Sequence, residues 1–149
     1  MIKPSIGRKR LPHEIPLDIQ LGPEDEVFFI TICCLPRGIN QLAHTEVWRI
    51  IDESLRRRES VGDMYVRMVL AMPDHLHGMF SFCGKKPMAK VITDFKSWLA
   101  KSASVHWQRD FFDHRLRGSE SASEKANYIR NNPVRAGLVS HFEDWPYQR

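Results

Sequence analysis

Cysteine is scarce in this chain: three in 149 residues, with Cys33 and Cys34 adjacent and Cys83 alone. That set makes neither a disulfide framework nor a CxxC metal knuckle. The thiols read as reduced, mostly buried groups of a cytoplasmic protein. Long apolar runs are also lacking, and no stretch approaches the roughly 20 residues that a bilayer span requires. The segment from Met1 to Arg10 carries charge but no apolar stretch after it, so it is not read as a secretion signal. Internal repeats, low-complexity tracts and a long linker are missing too. What remains is one domain of ordinary size.

The composition, 42% hydrophobic and 27% charged, is that of a globular protein and excludes a disordered tail or a fibre. The formal net charge of +4 permits a polyanionic partner without establishing one. Positive clusters recur at Arg8-Lys9-Arg10, Arg56-Arg57-Arg58, Lys85-Lys86, Arg115/Arg117 and Arg130/Arg135. Any one of them is ordinarily a solvated face, the preferred reading for Arg56 to Arg58. Together they lean towards nucleic acid.

Four prolines (Pro4, Pro12, Pro16, Pro23) mark residues 1–26 as an extended basic arm, with the folded domain over 27–149. Val27 to Leu35, rich in Phe and Ile, predicts a strand closed by Pro36 and Gly38. Val47, Trp48, Ile51 and Leu55 fall at helical spacing within His44 to Arg58. Met64, Val66, Met68, Leu70 and Met72 alternate, which predicts a strand with those five on one face. Pro73-Asp74 makes a turn into a strand from His75 to Phe82. A second helix is expected from Pro87 to about Trp107, burying Met88, Val91, Ile92, Phe95, Trp98 and Leu99. Phe111 to Leu116 reads as a fourth strand. Ser121-Ala122-Ser123-Glu124 has the capping-box pattern, so a third helix is expected to start there and end near Asn132, before Pro133. The first six elements follow the β-α-β-β-α-β order of an α+β, ferredoxin-like antiparallel sheet. Two helices should cover one face and leave the other open, with the additional C-terminal helix carrying a tyrosine.

On the strand His75-Leu76-His77-Gly78-Met79-Phe80, alternate side chains oppose, so His75 and His77 project together away from the core face of Leu76, Phe80 and Phe82. Two such positions lie roughly 6.6 Å apart at the backbone. Imidazoles converging from there can share one metal ion, each nitrogen about 2.1 Å from it if the ion is zinc-like. A bare H-x-H is more often two surface histidines; an open sheet face favours the metal reading. Tyr128 and Asn132 are four residues apart and share a helical face, with Glu124 one turn earlier. The ordinary reading of Tyr128 is an edge-packing tyrosine with a wet hydroxyl.

Three segments in order carry a specific likeness: Met72-Pro73-Asp74-His75-Leu76-His77, Trp107 to Leu116, and Tyr128-Ile129-Arg130-Asn131-Asn132-Pro133-Val134-Arg135-Ala136-Gly137-Leu138-Val139. They resemble the REP-associated tyrosine transposases, relatives of the single-tyrosine insertion-sequence transposases in the HUH superfamily. The likeness runs from the basic arm to Asp144-Trp145-Pro146. It departs at Asp74, where most members are expected to have Asn. The resemblance implies that His75 and His77 are the metal pair, that Asn132 completes the site, and that Tyr128 is the nucleophile. The implied cofactor is a divalent ion, Mg2+ or Mn2+, which serves a phosphodiester as Lewis acid and template. A tyrosine hydroxyl is weak at its usual pKa of about 10, and a nearby cation helps to deprotonate it. The implied activity is cleavage and rejoining of single-stranded DNA at hairpin-forming repeats, through a 5′-phosphotyrosine. Arg8, Lys9, Arg10, Arg115, Arg117, Arg130 and Arg135 are the expected DNA contacts. Monomer and homodimer both stay open.

Rival ligands are His106 and His114; rival nucleophiles are Tyr65 and Tyr147, the latter in an end segment where disorder is the default. The competing functions are a non-catalytic, single-stranded nucleic-acid-binding ferredoxin-like module, and a metal-dependent hydrolase with Tyr128 merely structural.

Overall fold

The computed structural model describes Leu21 and residues 26–82 and 84–149. Most of the arm, including Arg8, Lys9 and Arg10, and also Cys83, lie outside the described residues. The elements run β1 (Val27–Cys33), α1 (Thr45–Ser60), β2 (Met64–Ala71), β3 (His75–Phe82), α2 (Met88–Ala103), β4 (Phe112–Leu116), α3 (Ser119–Arg130) and α4 (Asn132–Arg135). The strands form one sheet in the order β2-β3-β1-β4, every neighbouring pair antiparallel. This is the expected ferredoxin-like arrangement. Among the described residues no helix is long and apolar enough to cross a membrane.

Strand alternation sorts the core into two layers. Ile30, Ile32, Leu76 and Phe80 face α1 and α2, meeting Ile51, Leu55, Val91, Ile92, Phe95 and Leu99. Each such fully buried side chain contributes about 1.5–3 kcal/mol. Gly78 belongs to this face, and the ring of Phe80 lies across the place its Cβ would take.

The second face is not left open as expected. Val27, Phe29, Leu70, Met79 and Leu116 form an apolar surface that Ala122, Ala126 and Ile129 of α3 cover, together with Trp145. A helix with that stripe has to bury it, and this sheet face is the surface it meets.

Several boundaries and faces differ from the sequence reading. A register shift between Val66 and Met68 breaks the β2 stripe. Met64, Val69 and Ala71 pack towards α1 and α2, whereas Met68, Leu70 and Met72 join the α3 side. One extra residue in a strand reverses every side chain after it. Helix α2 stops at Ala103, because Ser104 turns left-handed at φ 55°. The chain beyond it pairs with the end of β1, through Leu35 N–H to His106 O at 2.9 Å and Gln108 N–H to Cys33 O at 2.8 Å. Trp98 is 53% exposed rather than core, in a groove between α1 and α2. Helix α3 starts at Ser119, two residues before the capping-box serine, following Gly118 at φ 101°. The Ser119 hydroxyl accepts the Leu21 N–H instead of capping the helix.

The end of the chain is ordered where disorder was the default. Val69 N–H donates to Arg149 O and Arg149 N–H to Val69 O, at 2.7 and 2.8 Å, and Ala71 N–H donates to Tyr147 O at 2.8 Å. Residues 147–149 thereby cover the β2 edge, whose free backbone groups are a liability if left bare. Arg149 completes the attachment by reaching Asp52 and Glu59 of α1, each at 2.7 Å.

Candidate active site

Where α3 leaves the sheet, β1, β3, the α2–β4 segment and the start of α4 enclose a cleft of about 800 Å3. Thr31, His75, His77, Phe112, Tyr128 and Asn132 all line it. The imidazoles of His75 and His77 converge to 4.6 Å between ring centroids. Tyr128 lies with its ring 6.0 Å from that of His77. His75, His77, Tyr128 and Asn132, four positions singled out from the sequence, therefore share one cavity.

His77 is not on an open surface: it is 1% exposed. Phe29 stacks on it at 5.5 Å, and α3 closes over both. Burial lowers its pKa well below the ordinary value, helped by the charges of His75, Arg37 and Lys125. His75 is lowered as well, chiefly by burial, although Asp74 opposes the shift. Both rings are thus held in the neutral form in which imidazole ligates metals.

Each Nδ1 is engaged. Thr31, the register partner of His77 on β1, places its hydroxyl 2.9 Å from His77 Nδ1. Asp74 Oδ1 lies 2.8 Å from His75 Nδ1. When these nitrogens carry the proton, Nε2 presents its lone pair, the usual way an outer partner orients a ligating histidine. Asp74 does more than stand beside the pair. It also accepts from Arg37 Nε at 2.9 Å and Gly38 N–H at 2.8 Å. Burial pushes its carboxyl up, but these bonds together with His75 outweigh it and hold Asp74 well below the usual range.

Two imidazoles and the Asn132 amide line the same cleft, donor types that could hold a divalent ion. Among the described residues no three His, Cys, Asp or Glu side chains form a metal-holding group, so a third protein ligand would come from another oxygen of the cleft, an amide, a hydroxyl or a backbone carbonyl. Contrary to the expectation of one helix reaching Asn132, Tyr128 and Asn132 do not sit on one uninterrupted helix. Helix α3 ends at Arg130, Asn131 links, and Asn132 opens α4. Pro133 lacks the N–H to continue α3 but is tolerated in the first turn of a new helix.

The arginines do not converge. Arg135 Nη1 donates to Tyr128 O at 2.9 Å, and its guanidinium lies 5.5 Å from the Tyr128 ring. Arg130 stacks on Phe142 at 4.0 Å. Arg115 pairs opposite Phe28, on the sheet face away from the cleft, and approaches Glu26 at 3.5 Å. Arg117, just past β4, is exposed. His106, His114, Tyr65 and Tyr147 do not line the cleft. Sequence reading missed Thr31, Asp74 as an orienting group, and Lys125, whose ammonium lies 5.7 Å from the Tyr128 ring. The available signals were a position three residues before Tyr128 and the strand register, and the latter exists only once the sheet is formed. It also missed Lys96, which donates to the carbonyls of Gln108, Arg109 and Asp110 and so pins one wall of the cleft.

Sheet and cleft together define a class: a ferredoxin-like α+β domain in which a helix-borne tyrosine faces a histidine pair on a central strand. No protein-family model matches the chain. A Haemophilus influenzae protein that carries the provisional name REP-associated tyrosine transposase is 42% identical, over 53% of this chain and 54% of its own. The REP-associated tyrosine transposase of Escherichia coli K12 is 25% identical, over 52% and 49%. The chain thus spans about half the length of the curated relatives it matches. Among solved structures, a REP-associated tyrosine transposase bound to a REP hairpin superposes with a TM-score of 0.73 at 17% identity, covering 94% of this chain and 82% of that one. A Deinococcus radiodurans protein provisionally described as a transposase gives 0.50 at 14% identity, over 83% and 96%. The structural likeness establishes the fold, and the sequence relatives bear out the resemblance to REP-associated tyrosine transposases.

Proposed function

We propose that the chain is a REP-associated tyrosine transposase that cleaves and rejoins single-stranded DNA at hairpin-forming repeats, with Tyr128 as nucleophile. The observation that carries this reading is the shared cleft of Tyr128, His75, His77 and Asn132. Hairpin DNA is the partner of the structural relative, which supports the same class of partner here. Such an enzyme would work in the cytoplasm, with Cys33 and Cys34 as free thiols.

His75, His77 and Asn132 would hold Mg2+ or Mn2+. When bound, the ion supplies Lewis acidity and neutralises a non-bridging phosphate oxygen. Thr31 and Asp74 fix the two imidazoles, so the ligands need no reorganisation when DNA arrives. Arg135 anchors the Tyr128 backbone and Phe29 meets its ring edge-on at 6.4 Å, together limiting its positions. The Tyr128 oxygen attacks phosphorus, the P–O3′ bond breaks, the phenol gives up its proton, and the departing 3′-oxygen takes one up. The product is a 5′-phosphotyrosine, and reversal by a 3′-hydroxyl rejoins the strand without any nucleotide cofactor. Arg8, Lys9, Arg10 and Arg117 remain the proposed phosphate contacts, with the basic arm the foremost, whereas Arg115, Arg130 and Arg135 are turned towards Glu26, Phe142 and Tyr128.

A denaturing gel of protein incubated with single-stranded hairpin DNA, followed by mass spectrometry of the adduct, tests this reading. Protein joined at Tyr128, and intact DNA with Tyr128→Phe, is the expected result. Intact DNA with native protein would leave a binding module, and cutting without attached protein a hydrolase. An adduct on Tyr65 or Tyr147 would remove Tyr128 as nucleophile.

A further inference from the structure

We infer that the groove between α1 and α2 is a second nucleic-acid contact, holding one nucleotide of single-stranded DNA with its base on the Trp98 indole and its phosphate on Arg58. The site makes no use of Tyr128 and goes beyond the cleavage reading.

Arg56, Arg57 and Arg58 read in sequence as one solvated face, and the structure divides them. Arg56 pairs with Asp52 at 3.0 Å, and Arg57 is exposed. Arg58 instead continues the stripe of Ile50 and Ser54 along α1, each one turn apart, and Trp98 and Ser102 form the facing stripe on α2. Its Nε is buried and has no hydrogen-bond partner among the described residues. Burial pulls the guanidinium below its ordinary pKa, and Asp94 and Asp63 offset this only in part. A buried donor left unpaired is costly until an acceptor reaches it, and a guanidinium fork matches the oxygens of a phosphate.

The nearby acids are already engaged. Glu53 accepts from Arg49 at 2.9 Å, Asp63 from Lys86 at 3.3 Å and Asp94 from Lys90 at 2.9 Å. Arg57 and Arg58 make no ion pair among the described residues, which leaves two guanidiniums for an anion from outside. Beside them stand the exposed side chains of Trp98 and Val61. An inorganic anion would use the guanidiniums and leave the indole idle. A nucleotide uses both, because every base has a face that stacks on an aromatic ring. The groove holds about 600 Å3, in the range of small-ligand sites and enough for one nucleotide. No residue lines both this groove and the Tyr128 cleft, and α1 and α2 cover the sheet face opposite α3.

The test titrates the full chain with thymidine 5′-monophosphate and follows the Trp98 indole N–H and the Val61 methyls by NMR. Both should shift saturably. Thymidine and inorganic phosphate, added separately, should each bind at least about tenfold more weakly. Arg58→Gln and Trp98→Leu, read on the Val61 methyls, should each lower nucleotide affinity about tenfold. No shift at Trp98, phosphate bound as tightly as the nucleotide, or native affinity in either variant would overturn the inference. Should Arg58→Gln fail to fold, Trp98→Leu decides alone, since an exposed side chain carries little of the core. A Tyr128 adduct in a chain whose groove ignores the nucleotide removes this inference alone. A nucleotide bound at Trp98 with no adduct at Tyr128 removes the nucleophile alone.

Discussion

The Thr31 hydroxyl and His77 Nδ1 lie 2.9 Å apart across paired strands, inside the protein. Thr31→Val keeps the shape and deletes the bond, leaving a buried ring nitrogen unpaired. The expected cost is about 1–3 kcal/mol in urea unfolding. Because the bond also fixes the imidazole, Mn2+ affinity should fall about tenfold to a hundredfold. Unchanged affinity in isothermal titration would separate Thr31 from the metal reading.

Cleavage should require added Mg2+ or Mn2+ and stop with excess chelator. His75→Ala or His77→Ala should abolish it, with folding checked by circular dichroism. Asn132→Ala removes a neutral donor, so the rate should drop less and recover in part with excess Mn2+. Full activity in chelator would sink the metal assignment.

Binding should favour hairpin-bearing single strands over duplex and should weaken as salt rises, since phosphate contacts release counterions. Charge reversal at Arg8, Lys9 and Arg10 should lower affinity and flatten the salt slope, read by fluorescence anisotropy. Equal binding of duplex and hairpin would refute hairpin recognition.

Gly78 tests the core beneath the site. In Gly78→Ala the new methyl collides with the buried Phe80 ring. Neither strand nor ring can yield without repacking, so thermal unfolding should show a loss of about 1–3 kcal/mol. A neutral effect would show that β3 and α2 are more loosely packed than described.

Asp52 accepts from both Arg56 and Arg149. Burial raises its pKa, but the two guanidiniums prevail and hold it below the ordinary value. A depressed carboxyl stabilises the fold above its unfolded pKa of about 3.9, and loses that contribution as pH falls through the folded value. Asp52→Asn should therefore be less stable than the native chain near pH 7, by up to about 1 kcal/mol. The gap should close below about pH 4. A gap independent of pH would assign the loss to something other than charge.

Much of this protein was legible from residue order. Alternation put Leu76 and Phe80 on one face of β3 and the two histidines on the other, because the strand period is two whatever surrounds it. Pro133 ended α3 and the helical spacing of Ile51 and Leu55 marked α1, both local consequences of backbone geometry. Tertiary structure alone decided the rest. The bulge near Arg67, the burial of His77 beneath α3 and the capture of Tyr147–Arg149 by the β2 edge depend on partners distant in sequence. So do the Thr31–His77 bond and the seat of Lys125 over Phe29. Periodicity states which way a side chain points along its own element. Which surface closes over it is set only when the apolar face of α3 finds the sheet, since that burial is driven by area removed from water and not by any local pattern.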